Sequence, residues 1–167
     1  MRKWTMLMTF LALVLAFGTA PVMAAPKGQI VIALDTDTPT MDPHGHQERV
    51  GHNVGWHLFD SLFYRKADTT NVPALAVSYK VVDPVTVDLK LRQGVKFHNG
   101  EPFNAHAVKF SLERILDPKT KSPRTTSVAW LKSVEVKGEH EARLHFKAPS
   151  PTWLIELTNL SMMPPKY

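Results

Sequence analysis

The sequence predicts a mixed α/β (α+β) fold, and three observations carry that expectation. Val85-Thr86-Val87-Asp88-Leu89-Lys90-Leu91-Arg92 alternates strictly between apolar and polar residues, the pattern of a half-buried strand. Ala142, Leu144 and Phe146 alternate again after a Gly138-Glu139-His140-Glu141 turn. Between these stretches Ala105, Val108, Leu112, Ile115 and Leu116 fall on one helical face. With 44% hydrophobic and 21% charged residues, the chain has the composition of an ordinary globular domain rather than a disordered one.

The N-terminus comes first. Arg2 and Lys3 precede the apolar run Met6–Phe17, and Pro21-Val22-Met23-Ala24-Ala25 supplies small residues at its end. A basic head, an apolar middle and a small-residue end make a secretory signal peptide over residues 1–24, cleaved after Ala24 or, alternatively, Ala25. The run is shorter than the roughly 20 apolar residues of a spanning helix. Residues Gln29–Leu34 (QIVIAL) are apolar on both faces and predict a short buried strand, followed by a turn at Met41-Asp42-Pro43-His44-Gly45. From Glu48 to Phe63, Val50, Val54, Leu58 and Leu62 recur every four residues and predict a helix in spite of Gly51 and Gly55.

Asp83-Pro84 makes Val77–Val82 the hairpin partner of Val85–Arg92. Phe97-His98-Asn99-Gly100-Glu101-Pro102-Phe103 reads as a strand-to-helix connector, with an Asn-Gly turn, a stiffening Pro102 and a Phe to bury at each end. Asn104 is the N-cap of the following helix, which Asp117-Pro118 stops; Phe110 falls on its opposite side, so this helix should touch two layers. Leu131, Val134 and Val136 lead into the second hairpin. Pro149–Leu160 predicts another short helix with Pro151 in its first turn. The tail Met162–Tyr167 has no polar run-out and the first strand has few partners, so the chain is expected to be truncated.

Composition narrows the chemistry. The chain has no cysteine, which removes disulfides, thiolate metal sites, a thiol nucleophile and a lipid-bearing N-terminal Cys. The formal charge is +5, but two of those charges leave with the signal peptide. The remaining Lys and Arg are scattered among acids, so no nucleic-acid partner is expected. Eight histidines include His44-Gly45-His46, which can chelate locally, but no helical metalloprotease pattern accompanies them; surface histidines and no metal are the expectation. Glu101 and Glu113 are better read as surface ion-pair partners than as an acid/base pair. No phosphate loop, nucleophile elbow or dinucleotide fingerprint is present, so neither a cofactor nor enzymatic activity is expected.

Three blocks taken together resemble a family. Leu89–Lys96, then Phe97–Ala105 (FHNGEPFNA), then Val108–Arg114 are similar to the signature region of the family 5 extracellular solute-binding proteins, the dipeptide, oligopeptide and nickel receptors of ABC importers. Met41–His44 resembles the family's Leu-Asp-Pro-His turn, Leu58–Leu62 and Pro73–Tyr79 its next two motifs, and Pro164–Tyr167 its Val-Pro-Lys stretch. Ala107 departs from the pattern, standing where the family commonly has Asp in the first helical turn.

The resemblance implies a fold of the periplasmic binding protein type II kind, a clamshell of two lobes that closes on its solute and docks on a membrane permease. It puts residues 25–46 in the first strand and turn of lobe I and residues 47–167 in a satellite subdomain with two hairpins and flanking helices, the second lobe being absent. In peptide-binding relatives the segment just beyond the Asp-Pro-His turn runs along the bound peptide's backbone. Carried over without a gap, this marks Gln47, Glu48 and Arg49, with His46 adjacent, as ligand-binding residues. The expected protein is a periplasmic peptide receptor without a lipid anchor. A nickel or metallophore receptor of the same fold, and an exported module unrelated to transport, are the alternatives.

Overall fold

A computed structural model describes Gly28 and residues 31–167. The expected signal peptide lies outside the described residues, as do Gln29 and Ile30. Chain contacts divide the molecule into Met1–Ala33 and Leu34–Tyr167, and every helix and strand described belongs to the second unit. The expected strand Gln29–Leu34 is not formed over the residues described: Val31–Leu34 have no regular structure, and Val31 and Ile32 are 81% and 70% exposed. A strand exists only with a ladder partner, and none of the described strands pairs with this segment.

The first helix, α1 (Arg49–Gly55), is much shorter than its periodicity predicts. Two glycines in seven residues each cost roughly 1 kcal/mol of helix propensity. Leu62 and Phe63, the expected last turn, are instead buried in the sheet core. Beyond Gly55 the chain turns, its carbonyl accepting from the Leu58 and Phe59 amides at 2.9 and 2.8 Å. Phe63 then opens a small hairpin that the sequence pattern does not reveal, β1 (Phe63–Arg65) with β2 (Asn71–Pro73). Its turn is closed by Asp68 Oδ1, which accepts the Thr70 amide at 3.0 Å, with Thr69 at φ 69°.

Both expected hairpins form: β3 (Ala76–Asp83) with β4 (Thr86–Leu91), and β5 (Leu131–Gly138) with β6 (Glu141–Phe146). Asp83 Oδ1 accepts the Val85 amide at 2.8 Å and so closes the first turn. The hairpins join through β4 and β6, with Val87 opposite Leu144 and Leu89 opposite Ala142, into one antiparallel sheet ordered β3-β4-β6-β5. Val87, Leu89, Leu91, Val134, Leu144 and Phe146 are buried on its core side. β3 is an edge strand; Val77, Tyr79 and Val81 are exposed on it, and its register shifts at both ends.

Helix α2 (Ala105–Leu116) covers that core. Asn104 caps it as expected, its Oδ1 accepting the His106 and Ala107 amides at 3.0 and 3.2 Å. Ala105, Val108, Leu112 and Ile115 are buried, together with Ala107 and Ser111. The connector before the helix folds back on itself: the Phe97 amide donates to Glu101 O at 2.8 Å, Gly100 supplies φ +87°, and the Phe97 and Phe103 rings meet edge-on at 6.0 Å. The second layer foreseen for Phe110 is the C-terminal tail, where Phe110 lies 5.9 Å from the Tyr167 ring. Ser111 Oγ holds the tail as well, accepting the Met163 amide at 2.8 Å. A 3₁₀ turn, Pro123–Val128, precedes β5. The last helix, α3 (Trp153–Glu156), starts two residues after Pro151, which therefore lies outside its first turn, with Thr152 at the N-cap.

Two substitutions remote from the Asp42 turn separate core from cap. Phe103→Ala removes a ring that is fully buried and should lower unfolding free energy by about 3–5 kcal/mol. Asn104→Ala should cost about 1 kcal/mol. Urea unfolding of the two variants side by side checks both the order and the gap.

Candidate functional site

The site is built on the turn at Asp42–Gly45. Asp42 closes it twice: its carbonyl accepts the Gly45 amide at 3.0 Å, and its Oδ1 accepts the His44 amide at 2.9 Å. Arg114, near the end of α2, grips the same carboxylate as a fork, with Nη2 on Oδ2 at 2.6 Å and Nη1 on Oδ1 at 3.2 Å. Burial raises the Asp42 pKa, but the Arg114 hydrogen bonds and charge outweigh it and hold the carboxyl below its usual range. Arg114 also donates from Nε to the Tyr167 hydroxyl at 2.9 Å, and its Cζ stands 5.1 Å from the Tyr167 ring centre.

His44 is fully buried beside this pair, contrary to the surface position expected for the histidines. Its two ring nitrogens have opposite roles. The Ser161 carbonyl, 2.9 Å from Nε2, can only accept, so Nε2 carries the proton. Nδ1, 3.2 Å from Arg114 Nη1, is then the acceptor. The ring is neutral. Burial first, and then the Arg114 charge, push its pKa down to about 4 against the favourable Ser161 contact. The His44 carbonyl accepts from Ser122 Oγ, which in turn accepts the Arg124 amide at 3.2 Å.

His46 is also buried, at 4% exposure, and its ring packs closely against Gly51 of α1. A methyl group at Gly51 would overlap that ring, so glycine is required there for packing rather than for a turn. His46 and His52 lie 5.6 Å apart, and His52 lies 6.0 Å from Trp56. Both imidazoles are shifted toward the neutral form, first by burial and next by the charge of Arg124.

The remaining expected residues lie on the outside. Gln47, Glu48 and Arg49 are exposed, and Glu48 is extended at φ −70°, ψ 146° as the N-cap of α1. The Gln47 side chain donates to the Pro123 carbonyl. Glu48 Oε2 accepts the Gln47 amide at 3.2 Å. The structure thus separates the four residues, with His46 turned into the protein and the next three forming a rim. Sequence reading missed Arg114, Ser122, Arg124, Asn159 and Ser161, which lie far beyond the turn in the chain and bear no local pattern. Glu113 pairs with Lys109 at 3.1 Å and accepts the Val134 amide, a structural role. Among the described residues, no group of three or more His, Cys, Asp and Glu side chains is placed to hold a metal ion. Chemically, the assembly offers a preorganised main-chain rim backed by guanidinium donors and neutral imidazoles.

Comparison with known proteins gives the wider frame. Residues 70–167 match the family model described as bacterial extracellular solute-binding proteins, family 5 Middle. The glutathione-binding protein GsiB of Pectobacterium atrosepticum is 28% identical over 162 residues, which cover 95% of this chain and 30% of that protein. The chain therefore spans about 30% of the length of that curated relative. Among solved structures, AgaA of A. tumefacien R10 in complex with agropinic acid superposes with a TM-score of 0.72 at 29% identity, over 77% of this chain and 27% of AgaA. Haemophilus influenzae OppA in complex with RPPGFSPFR gives 0.70 at 25% identity, over 76% of this chain and 29% of OppA.

The buried histidine makes stability depend on pH. The folded pKa of His44 is near 4 and the unfolded value near 6.5, so the unfolded chain takes up the proton first as pH falls. Its contribution, about 3 kcal/mol, is complete above pH ~6.5 and is lost on the way down to pH ~4. Urea unfolding of the protein and of His44→Gln at several pH values across that window should show a steep decline for the first and a shallow one for the second.

Proposed function

Because the chain belongs to the bacterial extracellular solute-binding proteins of family 5, we propose that it is the solute-capturing component of an ABC importer, taking up short peptides outside the cytoplasmic membrane and delivering them to a permease. The observation that carries this reading is the family match over residues 70–167, with the glutathione-binding relative aligned along 95% of the chain. Glutathione is itself a peptide, and the OppA that superposes here carries a nonapeptide. The protein binds by enclosure and performs no covalent chemistry on its cargo. The periplasm is its place of work. No helix of the described residues is long and apolar enough to cross a membrane.

On this reading residues 25–46 belong to lobe I, with the turn at Asp42–Gly45, and residues 47–167 are the satellite subdomain beside it. The exposure of Val31, Ile32 and Leu34 supports that arrangement, since a run of apolar residues is ordinarily covered by neighbouring elements. The segment His46–Arg49 lines the cleft and meets the peptide's main chain. Its support is the rigidity of the turn from which it hangs: a backbone held by Asp42, His44 and Ser122 is already ordered before the ligand arrives. The nickel reading has less behind it, for two of the imidazoles here, His44 and His52, already accept hydrogen bonds from arginines.

Calorimetry on the intact protein tests this. Short peptides, glutathione among them, should release heat with micromolar dissociation constants, while nickel chloride alone should release none; the reverse result overturns the reading. Main-chain recognition adds a second expectation. Glu48→Ala and Arg49→Ala should change peptide affinity less than about threefold, whereas Glu48→Pro, which removes an amide donor, should weaken it roughly tenfold.

A further inference from the structure

Helix α1 is lightly fastened. It has seven residues, two of them glycine, and its N-cap Glu48 makes no side-chain capping bond. Helices shorter than about 12 residues do not hold by themselves in water, so its order comes from what it leans on. Val50 and Gly51 are its buried residues. Among the described residues, one hydrogen bond from elsewhere in the fold reaches a side chain of this helix, from Arg124 Nη1 to His52 Nε2 at 2.6 Å. Gln47, just before the helix, donates to the carbonyl of Pro123. Both fastenings end on the same 3₁₀ turn, Pro123–Val128.

The two partners in the Arg124–His52 bond are unequal. Arg124 is buried, its Nη2 donates to the Asn159 carbonyl at 2.6 Å, and a guanidinium keeps its proton wherever an imidazole titrates. His52 is half-buried. Its Nε2 accepts from Arg124 only while the ring is neutral. Once protonated, that nitrogen becomes a donor, and two cations stand 2.6 Å apart. Little nearby charge offsets this. His46, 5.6 Å from His52, adds positive charge when it titrates. The acid on this side is Glu48, whose Oε2 lies 4.0 Å from His46 Nδ1 and so serves that ring first. Asp42 acts on His46 and is gripped by Arg114, and the charge of Glu156 is felt at Arg124. Burial, then Arg124, then His46 hold His52 toward the neutral form, against Glu48.

We propose that the Arg124–His52 bond is a proton-operated latch: uptake of one proton at His52 breaks it, and α1 with the adjoining Gln47–Arg49 segment comes away from the 3₁₀ turn while the sheet and α2 stay folded. Because the folded ring binds its proton less readily than a free imidazole, the latch is closed above pH ~6.5 and opens as pH falls below that value. The device goes beyond the peptide-receptor reading and does not depend on what the protein binds.

Amide exchange followed by NMR on the intact protein from pH ~8 down to the protonation of the His52 ring tests the latch. The probes are the His52 amide, bonded to Glu48 O at 3.2 Å, and the Trp56 amide, bonded to His52 O at 2.9 Å. Their protection should fall at least about tenfold as the His52 ring takes up its proton, while amides of β4 and α2 remain protected. His52→Gln, whose side-chain oxygen accepts from Arg124 at every pH, should keep α1 protected throughout. His52→Lys, which is charged at every pH used, should leave α1 unprotected already at pH ~8. Should His52→Lys fail to fold, the comparison of the unsubstituted protein with His52→Gln decides alone. Loss of α1 protection only together with that of β4 and α2, or an equal loss in His52→Gln, overturns the latch. So does an α1 that stays protected with the His52 ring protonated, or one that is unprotected already at pH ~8 in the unsubstituted protein.

Discussion

The fork between Arg114 and Asp42 is the constraint on which the site depends. One guanidinium, carried by the longest helix among the described residues, holds the turn carboxylate, an imidazole nitrogen and the hydroxyl of the tail residue Tyr167. With side chains 11% and 32% exposed, the pair is sheltered enough to resist screening by salt, and bidentate geometry leaves the turn little freedom to rotate. Everything beyond the turn takes its direction from it: His46 faces inward, and Gln47 to Arg49 face outward. A buried pair of this kind is worth less as net stability than as orientation, because removing one partner strands the other.

The two arginines sort the histidines. His44 and His52 each present a bare nitrogen to a guanidinium, which requires both to be neutral. Imidazoles in that state cannot act as cations toward a ligand, so any attraction for negative charge comes from the arginines alone.

Much of the scaffold was legible. The alternation of Val85–Arg92 and Ala142–Phe146, the Asn104 cap and the doubled Phe of the connector are local signals, and local hydrogen bonds satisfy each of them. What escaped depended on distance along the chain. The union of β4 with β6 leaves no mark on either strand's pattern. Helical spacing from Val50 to Leu62 was misleading, since Leu62 and Phe63 gain more from the sheet core than from prolonging a helix that two glycines weaken. The strand expected at Gln29–Leu34 had apolar content but no described neighbour to pair with. Gln47, Glu48 and Arg49, which are exposed, could be picked out by counting from the Asp-Pro-His turn. The arginines behind them could not, because Arg114 reads as one more charge on a helix and Arg124 as a loop residue until folding brings each to the turn.

Strand β3 carries a practical consequence. It ends its sheet with Val77, Tyr79 and Val81 only half-covered, although Tyr79 meets Phe63 and Trp153 edge-on, and such a border is prone to sticking when the protein is concentrated or heated. The shifts in register at either end, with Lys80 between them, bend and charge the border so that a second copy cannot lie flush against it. Straightening those irregularities in a design meant to tidy the sheet would favour filament growth over solubility.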